Sequence, residues 1–114
     1  MVKNLNLIKN SHGILLINTT NSKILNNTAN SNRDGIYSIY FLNNIMVNNI
    51  ANSNQNGIYI VFSPNNNITN NTANSNLYGI FLCKGIANNI LNSNTLCSNK
   101  KYDIHNDTSN IGSE

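Results

Sequence analysis

Acidic side chains are scarce: the 114 residues contain four, Asp34, Asp103, Asp107 and Glu114, against seven Lys and Arg, and only 10% of the chain is charged. Glycoside hydrolysis usually needs two positioned carboxylates. Here Asp34 stands in a turn just before Gly35, the other three cluster near the end of the chain, and no Arg or Lys column faces them. The chain is therefore expected not to be an enzyme, and no residue is assigned a catalytic role. Cysteine is equally sparse, with Cys83 and Cys97 alone, which excludes a disulfide-dense scaffold. No apolar run approaches the ~18 residues of a membrane helix. The opening MVKNLNLIKNSHG lacks the continuous apolar segment of a signal peptide, so no export signal is read in it. A net charge of +3, spread over Lys3, Lys9, Lys23, Arg33, Lys84, Lys100 and Lys101, is too weak and too dispersed to track a phosphate backbone. Nucleic acid is excluded as a partner.

Asparagine fills the gap, with 30 of 114 residues. Asn is a poor helix former and cannot fill heptad core positions, which excludes a helical bundle. An Asn-rich chain could instead be a disordered tract, but disorder needs no phase, and this chain has one. Gly-Ile recurs at Gly13, Gly35, Gly57 and Gly79, each interval being 22 residues. A further step of 22 lands on Lys101-Tyr102, where the glycine has been lost. Apolar residues keep the same phase at Val2, Ile24, Met46, Ile68 and Ile90. So do Ala29, Ala51 and Ala73, and the Asn columns 4/26/48/70/92 and 10/32/54/76.

A unit of 22 residues is too short for a helical hairpin repeat. Its apolar residues alternate in short runs bounded by Asn, Ser and Gly, which reads as short strands joined by turns. Stacked in register, such units form a parallel β-helix of about five coils, ~4.8 Å apart. Ile14, Ile36, Ile58 and Ile80 are expected in one inward stack, and Leu16, Ile60, Leu82 and Ile104 in another, interrupted by Ser38. The Val2-to-Ile90 column supplies a second wall, and the Ala column suits a tight corner. Stacked Asn amides can bond to one another along the axis and also tolerate left-handed turns. The repeated Gly marks a turn that needs positive φ or a close approach.

Units such as Asn66-Asn67-Ile68-Thr69-Asn70-Asn71-Thr72-Ala73-Asn74-Ser75-Asn76, followed by Gly79-Ile80-Phe81, resemble the right-handed parallel β-helix repeats of NosD-like and pectin-lyase-like proteins. The resemblance covers about residues 2 to 105. It divides the chain into repeats over 1–105 and a polar tail or cap over 106–114. It implies a right-handed solenoid at the cell surface, in the periplasm or outside the cell. It also brings in a copper-associated periplasmic accessory protein as an alternative role. Relatives usually have more coils, and both ends would leave unpaired strand edges. A fragment, a truncated gene product or one piece of a longer array all fit that picture, and further coils or another chain are then partners.

Two sets of candidate site residues follow. The second residue after each Gly should point outward, giving Leu15, Tyr37, Tyr59 and Phe81, with the nominally outward Ile17, Ile39, Val61 and Cys83 two residues on. An exposed aromatic column flanked by amides suits the apolar faces and hydroxyl rims of sugars. Tyr37, Tyr59 and Phe81 are therefore the candidate carbohydrate-binding residues, with a polysaccharide or cell-surface glycan as ligand, unless that face packs on another chain. Cys83 and His105 differ by 22, which would place thiol and imidazole on neighbouring coils as a candidate metal pair. Two ligands do not complete a site, and Cys83 also fits as a small hydrophobe below Ile17, Ile39 and Val61. No cofactor is specified. The expected role is a non-catalytic repeat module, structural or recognising carbohydrate.

Overall fold

A residue repeated every 22 positions can stack on its own copy only if each unit closes one turn. In the computed structural model, which describes residues 1–107, each unit does so. The first coil runs through β1 (Val2–Lys3), β2 (Asn6–Ile8) and β3 (His12–Thr20), and the second through β4 (Lys23–Leu25), β5 (Thr28–Asn30) and β6 (Asp34–Leu42). The third holds β7 (Ile45–Val47) and β8 (Asn56–Val61), the fourth β9 (Asn67–Thr69) and β10 (Tyr78–Cys83), the fifth β11 (Ile90–Asn92) and β12 (Tyr102–Asp107). Strands of one kind pair in parallel, as β3-β6-β8-β10-β12 on one side and β1-β4-β7-β9-β11 on a second. The third side begins with β2 and β5 and continues through single bridges Thr28–Ile50, Ile50–Thr72 and Thr72–Thr95. The molecule is a parallel β-helix of about five turns.

The core is a set of stacks along the axis. Ile36, Ile58 and Ile80 are wholly buried in one, Ile24, Met46 and Ile68 in another, and Ala29, Ala51 and Ala73 at a corner. Ser38, which breaks a third stack, is also buried, and its hydroxyl donates to the Tyr59 carbonyl at 3.4 Å. The repeated glycines are explained by close approach. A Cβ on Gly35 would stand 2.6 Å from the Gly57 carbonyl oxygen and 2.8 Å from the Ala51 Cβ. Positive φ is instead taken mostly by Asn and Ser at the corners, including Asn26, Asn48 and Asn70; Asn adopts this region at little cost.

The buried amide ladders sit beside those corners. In one, the backbone N–H of Asn27 donates to Asn49 Oδ1, that of Asn49 to Asn71 Oδ1, and that of Asn71 to Asn94 Oδ1, at 2.9–3.0 Å. Each Nδ2 also reaches back one coil to a carbonyl, Asn49 to Ile24 and Asn71 to Met46. Equivalent ladders run through Asn32, Asn54, Asn76 and Asn99 and through Asn44, Asn66 and Asn89. The buried polar atoms are thus paired within the fold rather than stripped of partners. Of the two Asn columns noted in the sequence, the 32/54/76 column forms a ladder. The 26/48/70 column makes the left-handed corner, and its neighbour 27/49/71 does the bonding.

The period is not constant. From the fourth coil to the fifth, Leu91 pairs with Ile68 at a spacing of 23, and Ile104 pairs with Ile80 at a spacing of 24. One extra residue enters at Gly85, whose φ is +53°, between corners that otherwise align; the other enters between Asn99 and Tyr102. Three expectations are corrected as a result. Leu91, not Ile90, joins the stack of Ile24, Met46 and Ile68, and Ile90 is 60% exposed. Ile104 continues the stack of Ile80, leaving Asn106 opposite Leu82. Asp103, not Lys101, takes the position opposite Gly79. Asn106 and Asp107 belong to β12, and the rest of the expected 106–114 tail lies outside the described residues.

Candidate functional site

On the β3-β6-β8-β10-β12 side, in-register pairing brings Leu15, Tyr37, Tyr59, Phe81 and His105 into one outward column. Tyr37 and Tyr59 have ring centroids 4.9 Å apart, Tyr59 and Phe81 4.7 Å, and Phe81 and His105 4.6 Å. His12 closes the other end against Tyr37 at 5.0 Å. The spacing follows from the fold, since strands repeat at ~4.8 Å and aromatic centroids prefer ~4.5–7 Å. Tyr59 and Phe81 lie only 14° from parallel, so each covers a face of the other and the ladder offers solvent mainly ring edges. Burial, together with Cys83 through a side-chain hydrogen bond and charge, Tyr37 and Asp34, raises the Tyr59 phenol above its ordinary pKa of 10.0.

A second column runs beside the first, His12, Asp34, Asn56, Tyr78 and Tyr102. Its centre is Asp34, a carboxylate whose side chain is only 2% exposed. Asn56 Nδ2 donates to its Oδ1 at 2.7 Å, and Arg33 grips Oδ2 through Nε and a terminal nitrogen at 3.2 and 3.1 Å. His12 Nδ1 lies 2.9 Å from Oδ2, off the direction of a hydrogen bond. A buried carboxylate is tolerated only when paired and hydrogen-bonded in this way. Among the described residues, the buried side-chain atoms left without a hydrogen-bond partner are His12 Nδ1 and Asn56 Oδ1, both in this cluster. Farther along, Tyr78 and Tyr102 flank His105 at 5.2 Å each, and the Lys101 ammonium lies 5.9 Å from the Tyr78 ring centre.

At the corner that falls near the end of β6 and just past β8, Tyr40 and Phe62 stack at 5.6 Å and 13° with φ of +54° and +46°. Aromatic side chains seldom take this left-handed conformation. Here the corner imposes it, as it does on Asn18 and Lys84 in the same column.

The structure thus brings Tyr37, Tyr59 and Phe81 together as the repeat implied. Sequence reasoning weighed Asp34 only as an isolated acid and missed His12, Asn56, Tyr78 and Tyr102. A signal was available for four of these, since His12, Asp34, Asn56 and Tyr78 each directly precede a repeated Gly. Cys83 and His105 do not meet as the 22-residue step suggested. With a spacing of 24, Cys83 pairs with Asp107 and His105 with Phe81, two residues away along neighbouring strands. Cys83 and Cys97 are not joined in a disulfide.

No curated protein and no solved structure matches this chain. A family model does, over residues 1–112, the family being described as periplasmic copper-binding protein (NosD). With a match of that extent on a five-turn parallel solenoid, the chain belongs to the NosD family.

Proposed function

We propose that the chain is a non-catalytic recognition module of the periplasm or cell surface, taking an extended polysaccharide along the outer face of β3-β6-β8-β10-β12. The observation that carries this reading is the unbroken run of ring contacts from His12 through Tyr37, Tyr59 and Phe81 to His105, at 4.6–5.0 Å. A ligand with its own short repeat, lying along the axis, would meet similar chemistry at every coil. Apolar ring edges and the neighbouring Ile17 and Ile39 would meet its carbon faces. Arg33 and His12, at the edge of the Asp34 cluster, would meet its hydroxyls. Carbohydrate sites are built from this mixture of apolar surface and a few fixed polar groups.

The non-catalytic part of this reading is supported by the two acids whose side chains are described. Asp34 is buried and committed to Arg33 and Asn56, and Asp103 lies on the far edge strand, where its Oδ1 accepts from Asn99 Nδ2 at 2.8 Å. A second reading, that the column is purely structural, is favoured by the mutual covering of the Tyr59 and Phe81 faces.

One double variant separates the two. Tyr37→Ser with Tyr59→Ser is expected to abolish retention on immobilised cellulose, chitin or peptidoglycan while leaving far-ultraviolet circular dichroism unchanged. Wild-type protein that none of these matrices retains, or a double variant that unfolds, would favour the structural role.

A further inference from the structure

We infer that this chain, although it belongs to a family described as copper-binding, holds no resident copper ion through its own side chains. The soft donors of the whole sequence are six: Met1, Met46, His12, His105, Cys83 and Cys97. Two ligand atoms on one ion lie within ~4 Å of each other, given metal–ligand bonds of ~2.0–2.3 Å. The fold brings only Cys83 and His105 onto adjacent strands, and these are offset by two residues. His12 and His105 lie on β3 and β12, the two edges of a five-stranded sheet. Four strand spacings separate them, ~19 Å.

The other donors are no better placed. Met46 is wholly buried in the core stack between Ile24 and Ile68. Cys97 stands on the third side, where its backbone N–H donates to Asn74 Oδ1. Met1 belongs to the first coil, at the opposite end of the solenoid from Cys83 and His105. Only Cys83 and His105 are on adjacent strands, offset by two residues, and both are engaged. Cys83 bonds to the Tyr59 side chain, and His105 is packed among Tyr78, Phe81 and Tyr102 at 4.6–5.2 Å. Among the described residues no three His, Cys, Asp or Glu side chains converge. Among the His and Cys side chains of the described residues there is therefore no more than one pair on adjacent strands, in a setting that would have to be dismantled to bind metal.

The test is copper retention by the purified 114-residue chain. Protein is loaded separately with Cu(I) under reducing conditions and with Cu(II), then desalted against a competing chelator and assayed for metal. Thermal melting is followed with and without copper, because a ligand that binds only the folded state raises the midpoint. The expected result is no retained copper and an unmoved midpoint. One equivalent held against the chelator in either oxidation state overturns the inference. The variants C83A, C97S, H12A and H105A then locate the site. The outcome is independent of glycan retention, so either reading can fail alone.

Discussion

Coils two to four and the fifth coil are built from the same repeat, yet only the fifth is reached through extra residues. Through the middle, every spacing is 22 and the ladder amides of Asn49, Asn71, Asn54 and Asn76 are buried. In the fifth coil the chain carries one and then two additional residues, and its ladder members Asn89, Asn94 and Asn99 are only partly buried. Even so, all three amide ladders continue without a gap. The insertions are absorbed at Gly85 and between Asn99 and Tyr102, outside the stacked positions. Register in this solenoid is held by the amide ladders and the apolar stacks, not by residue count. A loop tolerates an extra residue cheaply, whereas a slip of one position would turn every side chain to the wrong face.

The sharpest way to break the comparison is a buried charge. Ile58→Asp places a carboxylate in a stack where Ile58 is wholly buried; with no partner there, the expected loss exceeds ~4 kcal/mol and the chain should fail to fold. The same change at Ile104, in register with that stack but 48% exposed, leaves the charge in contact with water. Its expected effect is ~1 kcal/mol or less. Urea unfolding of both variants checks this. Equal effects would mean that the fifth coil is packed as the middle ones are.

A smaller contrast is expected within one ladder. Asn71 Oδ1 accepts from the Asn49 backbone N–H at 2.9 Å and its Nδ2 donates to the Met46 carbonyl at 2.9 Å, all inside the protein. Asn71→Ala strands both groups, and at ~1–3 kcal/mol per buried unsatisfied partner the expected loss is ~3 kcal/mol. Asn94 repeats the pattern, its Oδ1 accepting from the Asn71 backbone and its Nδ2 donating to the Ile68 carbonyl, but partly buried. Water can replace it there, and Asn94→Ala should lose only ~1 kcal/mol. Matching urea midpoints for the two would show that burial does not set the strength of the ladder.

Why the middle of this molecule was legible in the sequence and its end was not follows from the same physics. Gly-Ile at a fixed step, the alternation in Gly57-Ile58-Tyr59-Ile60, and the Ala column are direct consequences of stacking. They gave the fold, the inward residues and the aromatic column. The corner and ladder roles of the Asn pairs were only half readable, because Asn26 and Asn27 are identical in chemistry. Backbone φ alone decides which turns the chain and which bonds along the axis. The fifth coil misled because counting assumes no insertion. Ile90 and Leu91 are both apolar, so the sequence accepts either at the stacked position, and the metal pairing of Cys83 with His105 rested on that count. Asp34 was visible as an acid but its cluster was not: Arg33 directly precedes it, whereas His12 and Asn56 meet it across strands, and only the register of the coils brings them together.

The smallest expected effect tests the insertion itself. If Gly85 is the surplus residue of the fourth turn, deleting it restores a step of 22 between β9 and β11 and leaves Leu91 stacked on Ile68. What is removed is a glycine at φ +53° that packs against Phe62, together with some freedom of the unfolded chain. The loop must still let Asn89 Nδ2 reach the Ile86 and Ser63 carbonyls, both now at 2.8 Å. The expected change is under ~1 kcal/mol, of either sign, because shortening a loop and removing a flexible residue oppose any local strain. Deleting Ile86 instead would take a buried side chain from the core cluster, for which a loss of ~2–5 kcal/mol is ordinary. Paired urea titrations of the two deletions give the answer. A Gly85 deletion as damaging as the Ile86 deletion would show that the longer turn is required for pairing of the fifth coil, and that the ladders do not set the register alone.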